Sequence, residues 1–441
     1  MSHVEEPVRG VESPGDGQEP SVPLGEVERM NGEGAVALAP ELVANTLSEY
    51  VRGWWVRVRG GETGVLPVIV GLLIIGIIFQ VQNDNFLSSG NLVNLLVQAA
   101  VFMLLGMAEV FALLLGEIDL SIGFIAGLGG TVAAELVKVQ TGWPWWAAII
   151  VGLLSAAAIG ALQGTIITRL GLPSFVVTLA GLLGWQGVLL IILGQGGTLP
   201  INDAVINDLA NGNLTVVAGW ILLAVAVGGY ASLTWLRDTR RRTSGLVAPP
   251  VSITVLKIVV VAGFGVVLVL ICNSNRGALV AIRGMPWVVP IVLGVLGMWS
   301  FLLGRTKFGR YMYAVGGNPE AARRAGVNLA LIRTVAFTLA GFTAGVAGLI
   351  YASQLRSVST TLQGGQLVLF AVAAAVIGGT SLFGGRGKAL HAALGGIVIA
   401  AIYNGMGLLG LSAASQYIVT ALVLLAAVTV DALARRGRTA R

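Results

Sequence analysis

Few side chains in this sequence are equipped for chemistry, and most of those are carboxylates and carboxamides set among apolar neighbours. Glu109 lies inside an apolar run, and the segment GEIDLSIG (116–123) that follows carries Glu117, Asp119 and Ser121. An ionisable group at membrane depth is costly, so Glu109 is expected to face a bundle interior or a wet cavity, with Gln98 of the same run facing partly the same way. Glu117 and Asp119 admit two readings. In a turn between apolar runs they are solvated, with Asp119 capping the next helix beside Ser121; alternatively they touch a transported solute or a proton. Loop geometry and capping is the preferred reading. Gln163, Gln186 and Gln354, with Gln363 and Gln366, add neutral donors and acceptors of the kind a path for an uncharged polar solute needs. Gln98, Glu109, Glu117, Asp119, Ser121, Gln163, Gln186 and Gln354 are therefore the path candidates.

Covalent and metal chemistry have little to work with. His3 and His391 are far apart and Cys272 is the only cysteine, so neither a disulfide within the chain nor a thiolate metal site can form. HExxH and GxSxG are absent. No catalytic residue and no metal ligand is assigned. The nearest approach to a phosphate-binding loop, GGRGKA (384–389), lacks the spacing and the Ser or Thr, so the chain itself is expected to bind no ATP.

The polar stretch TKFGRYMYAVGGNPEAARRAGVNLALIR (306–333) is too hydrophilic to cross a bilayer. Gly316 and Gly317 are expected to break the chain, Asn318 to cap, Pro319 to take the first helical position and Glu320 the first turn. Ala321, Ala322, Arg323, Arg324 and Ala325 then continue one short amphipathic helix until Gly326 ends it. Such a helix either lies on lipid or docks a partner that supplies force.

The elements that must position these groups follow from composition. The chain has 441 residues, 56% hydrophobic and 11% charged, which excludes an ordinary soluble domain of about a quarter charged residues. A span needs about 20 apolar residues. Twelve runs qualify, at about 65–81, 92–115, 118–138, 145–168, 173–194, 216–236, 251–272, 286–303, 330–352, 367–383, 389–410 and 416–434. The expected fold is an all-α polytopic membrane bundle of about twelve transmembrane helices (about ten to twelve). With the N-terminus inside, the inner segments hold Arg52, Arg57, Arg59, Arg169, the cluster from Arg237 to Arg242, six residues between Arg305 and Arg333, Arg386, Lys388 and the four C-terminal arginines. The outer side keeps only Lys138, Arg276, Arg283 and Arg356. Cationic residues collect in cytoplasmic loops, so both termini are expected in the cytoplasm, and the net charge of +6 signals topology rather than a nucleic-acid partner. Trp143, Trp145, Trp146, Trp220 and Trp287 read as interfacial anchors, and the glycine-rich faces at 123–130 and 341–348 as close helix packing. Residues 1–48, rich in Glu, Pro, Gly and Ser, read as a disordered cytoplasmic tail ahead of a permease domain at 49–441, and they lack the apolar segment of a signal peptide.

FGRYMYAVGGNPEAARRAGV (308–327), GEIDLSIG (116–123), LGLPSFVVTLAGLLGWQGV (170–188) and VIGGTSLFGGRG (376–387) together resemble the permease subunit of carbohydrate ABC importers of the ribose, xylose and galactose branch. The resemblance spans roughly residues 60–435, and an additional helical pair at about 216–272, with an Arg-rich inner turn, makes the chain most similar to xylose-type members. It implies a permease homodimer in the bacterial cytoplasmic membrane that forms the path for a monosaccharide, a xylose-like pentose above all. An extracytoplasmic binding protein would deliver the sugar, and ATP and Mg would belong to a cytoplasmic ATPase docked on the loop at 304–330. Gly317, Asn318, Pro319, Glu320, Ala321, Ala322 and Gly326 would form the coupling helix, while Arg310, Arg323 and Arg324 would meet the ATPase surface. Related importer permeases for nucleosides or branched-chain amino acids share parts of this pattern. An ion-coupled secondary transporter would show an inverted repeat and paired intramembrane charges, neither of which is clear here. A membrane enzyme lacks any acid, base or metal set.

Overall fold

The computed structural model describes residues 52, 55, 64–194, 197–245, 248–277, 280–360 and 364–439. The N-terminal tail at 1–48, Arg57, Arg59, Gln363 and Arg441 lie outside them. The helices in chain order are α1 (Leu66–Gln82), α2 (Ser89–Leu114), α3 (Ile122–Val137), α4 (Trp145–Leu170), α5 (Ser174–Leu193), α6 (Ala204–Asn211), α7 (Val216–Thr243), α8 (Val251–Asn273), α9 (Val288–Arg305), α10 (Lys307–Gly317), α11 (Pro319–Arg324), α12 (Leu329–Leu355), α13 (Gly364–Ile377), α14 (Ala389–Leu408) and α15 (Ala413–Thr439). Among the described residues, eight are long and apolar enough to cross a membrane: α2, α4, α5, α7, α8, α9, α12 and α14. Shorter apolar helices are α1, α3, α13 and the Ala413–Val423 part of α15.

Each of the twelve apolar runs coincides with one of these helices, but several ends move. α3 begins at Ile122 because the preceding residues form a loop, and α13 stops at Ile377 before Gly379, whose φ of 86° turns the chain. α7 continues to Thr243, so the arginines at 237–242 ride its last turns instead of forming a turn. Arginine is a good helix former, and cations are favoured at a helix C-terminus. The all-α expectation also needs amendment. β1 (Thr198–Pro200) pairs antiparallel with β2 (Ser357–Ser359), Leu199 opposite Val358. Arg356, left-handed at φ 53°, turns the end of α12 into β2.

Short polar residues set the helix starts. Ser88, Asp203, Thr215, Thr306, Asn318 and Asn328 each accept a backbone N–H from the first turn of the helix they precede. The core forms around α2, where every residue from Ala99 to Leu114 except Met103 is buried. α12, α13 and α14 pack against it, and α12 also holds α3 and α4. At the periphery α7 and α8 pack on each other, and each leaves most of its apolar surface uncovered, as at Val225, Leu233, Val260 and Phe264. Apolar exposure of this extent fits a lipid-facing surface. The α7–α8 pair is joined at one end by polar contacts: Thr254 donates to buried Asp238 (2.8 Å), and Arg242 donates to the Pro249 carbonyl (2.7 Å).

Candidate translocation path and docking helix

Three places in the structure gather polar groups, and the sequence-flagged side chains account for only the first two. At one end of the bundle, the loop between α2 and α3 folds inward and is held from four helices. Glu109 of α2, fully buried, accepts the backbone N–H of Asp119 (3.2 Å). Asp119, also fully buried, accepts both the backbone N–H (2.9 Å) and the hydroxyl (2.6 Å) of Ser121. Gln163 of α4 donates to that hydroxyl (2.9 Å), and Thr178 of α5 donates to the Ile118 carbonyl (3.2 Å). From α12, the Arg333 Nε stands 2.9 Å from Glu117 Oε1, a close ion pair whose N–H is not aimed for a hydrogen bond. Burial raises the Glu117 carboxyl above its ordinary value, and the Arg333 charge pulls it the other way.

Asp119 and Ser121 form a local turn as expected, with two corrections: no side chain caps the first turn of α3, and the turn is enclosed, not solvated. The physical reason for the enclosure is that Glu109, Gln163 and Thr178 supply from the helices the polar contacts that water would otherwise provide. Among the described residues, Glu109 Oε2 and Asp119 Oδ2 have no hydrogen-bond partner.

Gln98 shares a face of α2 with Glu109, as expected, since eleven residues make about three full turns, but it does not join this cluster. Eleven residues separate the two on α2, about 16 Å at 1.5 Å per residue, so they lie toward opposite ends. Gln98 instead accepts from Asn404 of α14 (3.2 Å), which accepts from buried Asn91 (2.8 Å). Interhelical hydrogen bonds in lipid average about 0.6 kcal/mol with a maximum near 1.7. Asn404→Leu should therefore cost only about 1 kcal/mol. Thermal denaturation of the purified protein should show a shift of a few degrees, and a complete loss of folded protein would contradict this assignment. Gln186 and Gln354 are partly exposed and stand apart from both clusters.

The second place is the polar segment after α9. Two helices form where one was expected, because α10 runs through Gly316 to Gly317 and stops only at Asn318. Gly316 is a contact residue, not a breaker: a methyl added there would strike the Leu114 carbonyl and the Gly385 backbone. Gly385 donates to that same Leu114 carbonyl (2.9 Å), and the Tyr313 hydroxyl donates to the Gly387 carbonyl (2.7 Å). α10 is thereby fastened to the end of α2 and to the α13–α14 loop. α11 follows as expected, with Asn318 accepting from Ala321 (2.9 Å), Pro319 in the first turn, Glu320 paired with Arg323 (2.7 Å), and Gly326 left-handed at φ 81°. Ala322 is its buried anchor, while Arg310, Gly317, Asn318, Pro319, Glu320, Ala321, Arg323, Arg324 and Gly326 are exposed.

The third place holds none of the eight path candidates. A cavity of about 260 Å³ opens among Thr131 of α3, Leu189 of α5, Tyr351 and Leu355 of α12, Ser357 and Ser359 of β2, and Tyr403 of α14. Sequence reading missed it because these positions are scattered over four helices and a ribbon, and singly each hydroxyl or ring is unremarkable. No group of His, Cys, Asp and Glu among the described residues is arranged to hold a metal ion.

Apolar helices enclosing a polar-lined cavity, with an exposed helical appendage at one end, define a multi-pass membrane transport protein. The chain belongs to the family described as branched-chain amino acid transport system / permease component, which matches residues 91–428. It is 35% identical over 373 residues to the xylose transport system permease protein XylH of Escherichia coli (strain K12), covering 84% of this chain and 92% of that one. The ribose import permease protein RbsC of the same organism is 30% identical over 363 residues (82% and 92%), and its D-allose transport system permease protein AlsC 28% over 364 (82% and 89%). The chain is thus a permease of the ribose and xylose branch. No solved structure matches it.

Proposed function

We propose that this chain is the membrane subunit of an ATP-driven importer for a monosaccharide, with a xylose-like pentose the first candidate. It works as a homodimer in the bacterial cytoplasmic membrane, takes the sugar from an extracytoplasmic binding protein, and leaves ATP and Mg to a cytoplasmic ATPase. α1, α3, α13 and α15 complete twelve spans with the eight longer ones, both termini lie in the cytoplasm, residues 1–48 form a tail outside the permease domain (49–441), and α7–α8 is the additional pair at about 216–272.

The observation that carries this reading is α11: an exposed, capped helix with a single buried anchor, set on a base that α10 fastens to α2 and to the α13–α14 loop. A helix so placed can pass a push from outside into the bundle, because packed elements transmit displacement instead of absorbing it. The similarity to xylose, ribose and allose permeases supports the substrate class. ATP-driven closure of two docked ATPases would move the α11 helices, and the bundle would alternate between outward- and inward-facing states.

The test is affinity purification from native membranes of wild type and of a Glu320→Lys, Gly326→Trp variant. A P-loop ATPase should accompany the wild type and be lost from the variant at equal permease yield. Absence of any ATPase from wild type, under conditions that preserve such complexes, would leave ion-coupled transport as the better account.

A further inference from the structure

We propose that the cavity between α3, α5, α12, α14 and β2 is a binding site for one neutral sugar ring, so that the permease holds its cargo in a pocket instead of offering a smooth conduit. The proposal rests on the import reading above and adds to it a location, a size limit and a charge limit.

Charge comes first. Among the described residues, the lining carries hydroxyls at Thr131, Ser357 and Ser359 and no ionisable acid or base other than the phenols of Tyr351 and Tyr403. A buried or half-buried charged solute would meet no counter-charge there, whereas hydroxyls of a sugar would meet hydroxyls.

Size is the second constraint. At about 260 Å³ the cavity lies just below the range of about 300–1,000 Å³ typical of drug-sized ligand sites. That is the scale of a single ring with a few waters, not of two linked rings.

Two side chains make the site directional. Tyr351 and Tyr403 each present an apolar ring face, suited to the C–H face of a sugar, and a hydroxyl at the tip. Neither phenol hydroxyl has a hydrogen-bond partner among the described residues. The Tyr403 ring is braced edge-on by Phe102 (centroids 6.0 Å) and Phe370 (5.9 Å), which pack on each other (5.0 Å). A phenol held rigid with its hydroxyl unpaired is pre-organised for a ligand and loses little freedom on binding. β2 closes one side, and its pairing with β1 keeps Ser357 and Ser359 at the rim.

The experiment is saturation-transfer NMR on the full chain in nanodiscs, titrated with D-xylose, D-ribose, the anion D-gluconate and the disaccharide maltose. Wild type should give saturable transfer with one or both pentoses and none with gluconate or maltose. Tyr351→Phe and Tyr403→Phe, which remove a hydroxyl and keep the ring, should each raise the half-saturating concentration about fivefold, the order expected for one lost hydrogen bond. Equal transfer to maltose or gluconate, or wild-type affinity in a Tyr351→Phe, Tyr403→Phe double variant, overturns the site. So does a wild type that binds none of the sugars. Uptake in cells supplying the ATPase and binding protein separates the two levels. Pentose uptake without binding at these residues sinks the pocket and spares the import reading; no monosaccharide uptake at all sinks both.

Discussion

Gly348→Val is expected to remove most folded permease from the membrane. Gly348 sits where α12 crosses α3 with backbone nearly against backbone, so that an added β-carbon would collide with the Ala126 carbonyl. From the other side, a β-carbon on Gly130 would come within 2.8 Å of the Gly348 carbonyl. In lipid, helices gain nothing from leaving water, and their association depends on van der Waals contact that such close approach provides. Overpacking a core usually costs about 1–3 kcal/mol because side chains can shift. Here the obstacle is backbone on both sides, and the strain can be relieved only by separating α3 from α12, which also holds α2 and α4. The measurement is the yield of monodisperse protein after extraction, compared with Gly263→Val on peripheral α8, where nothing lies within 4 Å. Equal yields from the two variants would show that the α3–α12 contact does not govern assembly.

Arg333→Gln is expected to abolish transport while reducing stability much less. Breaking a buried ion pair by removing one partner costs about 3–5 kcal/mol because the other charge is stranded. Arg333 is 32% exposed and Glu117 10%, so solvent screening lowers the expectation to about 1–2 kcal/mol. The functional loss should be larger. Arg333 stands in the first turns of α12, just after α11, and its partner lies in the loop that Glu109 and Gln163 clamp. Releasing the pair disconnects the proposed docking helix from that loop. The double variant Glu117→Gln, Arg333→Gln leaves no stranded charge, so it should recover stability without recovering coupling between ATP hydrolysis and uptake. A double-mutant cycle decides the matter: stability changes that add within about 0.5 kcal/mol would mean the two residues do not interact, and wild-type uptake by Arg333→Gln would show that this pair does not connect the docking helix to the loop.

Much of the architecture was legible in one dimension. Hydrophobic run length is a local property, since a chain in hydrocarbon must satisfy its backbone within each segment, and helix is the only way to do so without a partner strand. Each apolar run accordingly became a helix. Caps are local as well: Asn318, Pro319, Glu320 and Gly326 each took the position their chemistry assigned. What misled was the role of glycine. Gly316 and Gly317 carry the same local signal as a helix terminator, but Gly316 lies within a helix and is small because Leu114 and Gly385, remote in sequence, press against it.

The site was less legible than the scaffold. The carboxylates at 109, 117 and 119 advertised themselves because charge in an apolar run is rare, yet whether that charge met solute, water or protein depended on Gln163, Thr178 and Arg333, brought in by three other helices. The cavity gave no advance signal, for a neutral hydroxyl or a tyrosine on an apolar helix is ordinary until Thr131, Tyr351, Ser359 and Tyr403 share one space. Sequence by itself determined where the helices lie along the chain, how they begin and end, and the family to which their motifs point. Only the tertiary structure decided which helix became the core, which glycines were contacts, and which polar groups faced each other, because those depend on distances between residues that no local pattern encodes.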